Sequence, residues 1–147
     1  MRFELNDLES TEALAQRLAP LLNAGDVIAL RGGLGAGKTT FTRALISALL
    51  NEATEVPSPT YTLVQTYTGP DFPIFHFDLY RLDDPIDVFE LGWDETQDGL
   101  AIIEWPDRAG SHLPTWRLDL EIEMAGEIRT ARLEPKGEDW QTRLHDF

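Results

Sequence analysis

The stretch Val27-Ile28-Ala29-Leu30-Arg31-Gly32-Gly33-Leu34-Gly35-Ala36-Gly37-Lys38-Thr39-Thr40 decides the fold. Its first four residues form a short, uninterrupted apolar run, the pattern of a strand buried on both faces of a sheet. Gly32 to Thr39 then satisfies G-x-x-x-x-G-K-[ST]. From Lys38 to Leu50 the apolar residues Phe41, Leu45, Ala48 and Leu49 recur at helical spacing, so strand, glycine-rich loop and helix follow in order. Glycines at 32, 33, 35 and 37 let backbone amides converge on phosphate oxygens at a helix N-terminus whose dipole favours anions. Lys38 is placed to reach between β- and γ-phosphates, and Thr39 to offer its hydroxyl to Mg²⁺. A nucleotide-binding P-loop is the reading that strand, loop and helix support together.

Working outward, Leu14, Leu18, Leu21 and Leu22 predict a first helix over residues 11–22, introduced by Ser10. Val56-Pro57-Ser58-Pro59-Thr60 is a shaped loop, because its two prolines bar helix and central strand. The alternation through Tyr61–Tyr67 and the run Ile74–Tyr80, across Gly69-Pro70, predict an antiparallel hairpin. Asp84 with Pro85 starts a short helix near Val88 to Leu91, and Leu100 to Ile103 is a second buried strand. Trp116 to Met124 and Glu127 to Leu133 predict another hairpin. The fold expected is α/β, a P-loop NTPase-type three-layer arrangement with a mixed, partly antiparallel sheet flanked by helices. At 147 residues, one domain over 1–147 is expected.

A P-loop enzyme needs a carboxylate for Mg²⁺ near the end of a neighbouring strand. Glu104 ends the second buried strand, and Asp78 lies within His76-Phe77-Asp78-Leu79-Tyr80-Arg81. An ordinary solvated strand-end acid is the lesser reading of each alone, and the two together are harder to dismiss in that way. Trp105 is read first as a packing residue. His76 is read as a hydrogen-bonded structural histidine rather than a base. Ser58-Pro59-Thr60 is either a nucleotide-sensing switch or a plain proline turn.

Composition excludes several functions. Twelve Lys and Arg against 26 Asp and Glu give a net charge of −14, which repels polyanions, so neither DNA nor unaided tRNA binding is expected. The chain has no cysteine, which removes disulfides, thiolate zinc sites and a cysteine nucleophile and suits a reducing interior; a cytoplasmic protein is expected. No apolar h-region opens the chain and no apolar stretch approaches the ~18 residues of a membrane span, so no membrane partner is expected. Neither lysine, Lys38 or Lys136, sits in the [NT]-K-x-D element by which GTPases read guanine.

Four blocks, residues 33–40, Ser58-Pro59-Thr60-Tyr61-Thr62-Leu63-Val64, His76-Phe77-Asp78-Leu79-Tyr80-Arg81-Leu82 and Ile103-Glu104-Trp105-Pro106, in this order and spacing closely resemble the bacterial TsaE (YjeE) family. The resemblance implies a P-loop ATPase that works with a TsaB–TsaD heterodimer to make threonylcarbamoyladenosine in tRNA, with ATP and Mg²⁺ as cofactors. Contact with tRNA is then only indirect, within that assembly. By position, the loop Gly33, Leu34, Gly35, Ala36, Gly37, Lys38, Thr39 and Thr40 would hold the phosphates. Thr39, Glu104 and Asp78 would serve Mg²⁺, with Asp78, Glu104 and Lys38 as the catalytic set. Ser58 and Thr60 would form the switch, and Trp105 would sit beside the site. Toward the ends of the match, Thr11 would approach the base and Arg129 the site. Position 33 is Gly where many relatives carry Asp, and the loop geometry is expected to survive that change.

The leading expectation is therefore an ATPase subunit, slow in isolation and modulated by partners, whose ATP use supports the multi-turnover cycle of TsaB–TsaD. A stand-alone P-loop kinase of a small molecule or protein is the alternative, and a nucleotide-ordered binding switch the third.

Overall fold

In a computed structural model, residues 1–33, 35–52, 56 and 62–147 are described. The predicted central strand is there: β1 covers Arg2–Glu4 and β2 covers Val27–Arg31, of which Val27 to Leu30 are buried. Five more strands follow, β3 (Val64–Thr68), β4 (Pro73–Asp78), β5 (Leu100–Glu104), β6 (Arg117–Ala125) and β7 (Ile128–Lys136). They form one sheet in the order β1-β7-β6-β2-β5-β4-β3. The middle four, β6, β2, β5 and β4, run parallel, while β3, β7 and β1 join antiparallel at the two sides. The mixed, partly antiparallel sheet expected from the sequence is thus observed.

Strand periodicity sorts the core into two layers, because successive side chains point to opposite faces. Ile28, Leu30, Ile74, Ile102, Leu118 and Leu120 fall on one face. Packed there are helices α1 (Leu8–Leu18) and α2 (Lys38–Leu50), through Leu14, Leu18, Phe41, Leu45 and Ile46. Val27, Phe77, Ala101 and Ile103 face the other way, against Leu79, Leu82, Val88, Trp93 and Ala109. That second layer is built from 3₁₀ segments, Pro85–Leu91, Trp93–Asp98 and Pro106–His112, of which the sequence suggested only the first, as a short helix near Val88 to Leu91. Short runs punctuated by Gly92, Gly99 and Gly110 cannot complete the longer α-helical ladder.

Several boundaries differ from the sequence reading. The first helix begins three residues before Thr11, because Asp7 rather than Ser10 caps it: Asp7 Oδ1 accepts from Ser10 N at 2.8 Å and from Ser10 Oγ at 2.7 Å. Pro20 brings it to an end at Leu18 in a 3₁₀ turn, Ala19–Leu21. On α2 the buried stripe is Phe41, Thr42, Leu45 and Ile46; Ala48 and Leu49 are only partly covered. The β3 strand starts at Val64 because Leu63 is left-handed, at φ 67°, although its carbonyl still accepts from Asp78 N at 2.9 Å. Its partner β4 stops at Asp78, leaving Leu79 and Tyr80 beyond the strand.

The N-terminal strand and a C-terminal helix, α3 (Glu138–Arg143), carried no motif. Trp140 and Leu144 of this end are buried in the layer of α1 and α2. Arg143 clamps it to the turn before β2, donating to Asp26 Oδ2 at 2.5 Å and Oδ1 at 2.8 Å while stacking on Trp140 at 4.0 Å. The paired carboxylates of Asp26 and Asp139 hold the guanidinium well above its ordinary pKa, with Asp26 the larger influence. Breaking a largely buried pair leaves one charge uncompensated, at a cost of about 3 kcal/mol. Arg143→Met should therefore lower the melting temperature by roughly 6–12 °C in calorimetry, and a loss below 2 °C would show the clamp to be idle.

Candidate functional site

The glycine-rich loop leaves the C-terminal end of β2 and enters α2 at Gly37, whose φ of 105° only glycine adopts freely. Gly32 is constrained twice: its φ is 147°, and a Cβ there would lie 2.6 Å from the Ile122 carbonyl oxygen of β6. Gly33 is the opposite case, since nothing lies within 4 Å of a Cβ built on it. The Gly-for-Asp departure at position 33 therefore costs the loop no packing. The Lys38 ammonium donates to the Gly32 carbonyl at 2.6 Å and lies 3.7 Å from the centroid of the Trp105 ring. Burial pulls its pKa below the ordinary lysine value, while the charges of Glu104 and then Asp78 oppose that drop.

Sheet register unites the two acids. Asp78 and Glu104 are direct partners at the ends of the parallel pair β4 and β5. They are 6% and 3% exposed, beside Lys38 at 6%, so neither is an ordinary solvated strand-end acid. Glu104 Oε2 is 2.5 Å from Nε2 of the fully buried His76. Asp78 Oδ1 accepts from Tyr80 N at 3.1 Å. Trp105 follows Glu104 in a left-handed conformation, φ 56°, which turns the chain and lays the indole over Lys38 and against Tyr80 at 5.0 Å. The packing role expected of Trp105 and its place beside the site are one arrangement.

A cavity of about 710 Å³ opens over the loop, lined among others by Arg31, Gly33, Gly35, Ala36, Lys38 and Trp105. Its far wall is the projecting end of β6, including Glu121 and Glu123. Glu121 is raised above the usual carboxylate range by its hydrogen bond to Glu123, by burial and by the Glu123 charge, with Arg132 and Arg31 opposing. The sequence carried no signal for this wall, which exists only because β6 pairs beside β2.

Arg129, on β7, lies against the loop: a Cβ on Gly37 would sit 3.1 Å from its Nε. That Nε is buried without a hydrogen-bond partner among the described residues, and Nη2 of the guanidinium donates to the Met124 sulfur at 3.8 Å. An orphaned cationic donor next to a glycine cradle suits a bound phosphate. The oxygen donors Asp78, Glu104 and Thr39 likewise suit Mg²⁺, a hard cation that takes one or two carboxylates together with phosphate oxygens. Thr39 is half-buried in the first turn of α2, and Thr40 lines a groove shared with Leu8 and Glu12 of α1 rather than the cavity. Thr11 is buried in α1, its hydroxyl on the Asp7 carbonyl at 3.4 Å, and is not on the cavity wall. Leu34, Ser58 and Thr60 lie outside the described residues.

A parallel strand ending in this loop, with buried acids on the strands alongside, defines a P-loop nucleoside-triphosphatase fold. Residues 5–132 match the family model of threonylcarbamoyl adenosine biosynthesis protein TsaE. The chain is 41% identical over 124 residues to the tRNA threonylcarbamoyladenosine biosynthesis protein TsaE of Rickettsia felis, covering 84% of this chain and 72% of that one. It is 38% identical over 121 residues to the protein of the same name from Bacillus subtilis, covering 81% and 75%. The crystal structure of Bacillus subtilis YdiB superposes with a TM-score of 0.82 at 29% identity, over 99% of this chain and 92% of the other. The chain belongs to the TsaE family.

Proposed function

We propose that this chain is a Mg²⁺-dependent ATPase that serves the formation of threonylcarbamoyladenosine in tRNA, acting in the cytoplasm as one domain over residues 1–147. The biosynthetic role is the one named for its relatives. The observation that carries the ATPase reading is the register of Asp78 against Glu104 beside Lys38, at the mouth of a glycine cradle.

In this reading the loop amides from Gly33 to Thr40 hold the β-phosphate, and Lys38 turns from the Gly32 carbonyl to bridge β- and γ-phosphate oxygens. Arg129 adds a second cation from the same chain. Thr39, Glu104 and Asp78 would hold Mg²⁺, which when bound neutralises charge on the β- and γ-phosphates. Trp105 walls the phosphate end of the cavity and limits water there. Asp78, buried at the C-terminal end of β4, supplies a carboxylate to orient or accept a proton from the attacking water. Thr11 is assigned to the base side, and Ser58 and Thr60 to a loop that senses nucleotide, on the strength of the sequence resemblance alone.

The partners proposed are TsaD and TsaB, with tRNA met only within their assembly and with no DNA or membrane partner. A net charge of −14 supports docking on basic protein surfaces and opposes direct tRNA binding. Among the described residues no helix is long and apolar enough to cross a membrane. The test follows phosphate release by this chain alone and with TsaB–TsaD added. Slow basal turnover, stimulated by the pair and absent from Lys38→Ala and Glu104→Ala, is expected. Fast turnover indifferent to the pair, or phosphate transferred to an acceptor, would overturn the proposal.

A further inference from the structure

His76 is fully buried in the middle of β4, on the face it shares with Asp78 and, across the β4–β5 register, with Glu104. Its two ring nitrogens differ. Nε2 lies 2.5 Å from Glu104 Oε2 in a buried pair, and a carboxylate only accepts, so Nε2–H is the donor. Nδ1 is buried with no partner among the described residues. Ile74, Ile102 and Leu100 surround this stretch of the sheet, and an apolar side chain would pack there without an unmet polar atom. Leaving a buried polar group unpaired costs about 1–3 kcal/mol, so a residue with only a packing duty would not be an imidazole. The one described bond that the ring makes is to Glu104.

We infer that His76 is a positioning residue, whose buried Nε2–H fixes the Glu104 carboxylate in the orientation that the phosphate and Mg²⁺ site uses. The inference rests on the reading of Glu104 as a Mg²⁺ ligand. Side chains that hold a metal-binding carboxylate in place typically alter metal affinity by about 10–100-fold when removed. His76 thereby ties β4 to the end of β5, so that the hairpin carrying Asp78 and the strand carrying Glu104 present their acids as a unit.

The experiment titrates Mn²⁺ by electron paramagnetic resonance into the full chain holding a non-hydrolysable ATP analogue, without turnover. His76→Ala should weaken Mn²⁺ binding by about 10–100-fold, leave analogue binding in EDTA unchanged, and be largely rescued by His76→Gln, whose amide N–H reaches toward the position of Nε2. Unchanged Mn²⁺ affinity in His76→Ala, with Glu104→Gln weakened, would overturn the role of His76 alone. Unchanged affinity in Glu104→Gln would overturn the underlying reading of Glu104. Should the alanine protein not fold, the wild-type His76 Nε2–H proton resonance decides. It should move when Mg²⁺ is added to analogue-bound protein, and a resonance that does not move would overturn the inference.

Discussion

Lys38→Ala should leave the protein folded and reduce ATP affinity by about 10–100-fold, the equivalent of one charge-assisted hydrogen bond of roughly 1.5–3 kcal/mol. Hydrolysis should fall further, by roughly 10²–10³-fold at saturating ATP, because the ammonium also meets charge that develops at the transferring phosphoryl group. The structure explains why no neighbour substitutes. The ammonium is nearly buried, fixed on the Gly32 carbonyl and under the Trp105 ring, with Asp78 and Glu104 beside it. Removing it leaves the two buried acids near the phosphates with one cation fewer to offset them, which penalises an anion beyond the lost contact. Lys38→Arg should not rescue, since a planar guanidinium is bulkier than the ammonium held by the Gly32 carbonyl under the Trp105 ring. Isothermal titration with ATP and a phosphate-release assay check both numbers; retention of affinity within twofold in the alanine protein would show that Lys38 does not face the phosphates.

Gly32→Ala should be nearly as damaging, by a different route. A methyl group there would approach the Ile122 carbonyl to 2.6 Å in a backbone conformation that L-residues rarely adopt. Strain of this kind costs about 1–3 kcal/mol where the surroundings resist it, and the resisting atom is the backbone of β6, paired along its length with β7. The loop should shift away from β6, carrying the Gly32 carbonyl off Lys38. The expected result is loss of detectable ATP binding by calorimetry with a melting temperature lower by roughly 3–10 °C. Gly33→Asp is the internal control: it meets open space, so stability should stay within about 0.5 kcal/mol and ATP binding should persist. Equal damage from both substitutions would show that the loop tolerates a side chain at neither glycine and that the contact with β6 is irrelevant.

The local signals in the chain sufficed for the central unit. Val27 to Leu50 encodes its strand, loop and helix in hydrophobic period and glycine spacing, and the observed β2 and α2 match those limits closely. Asp84 with Pro85 likewise announced the start of its turn, where Asp84 Oδ1 accepts from Ile86 N at 3.2 Å. The first helix was displaced because Asp7 and Ser10 are both competent caps, and in the structure Asp7 caps the helix while Ser10 lies inside its first turn. The Glu104 and Asp78 pair was legible as two separate strand-end acids.

What those acids do together was not legible. Their adjacency is a matter of register between strands 26 residues apart in sequence, and register follows from which faces are buried once the whole sheet forms. The same holds for Arg129 over Gly37 and for the β6 wall that constrains Gly32, contacts that join the chain's last hairpin to its first loop. The bond from His76 to Glu104 belongs with them, since the sequence shows a histidine in a strand and only the packed sheet shows what it holds. Sequence alone determined the phosphate loop, because that loop is specified by neighbours along the chain. Tertiary structure decided which charges surround it, because non-local pairing is set by the burial of faces and leaves no periodic trace in the residues it brings together.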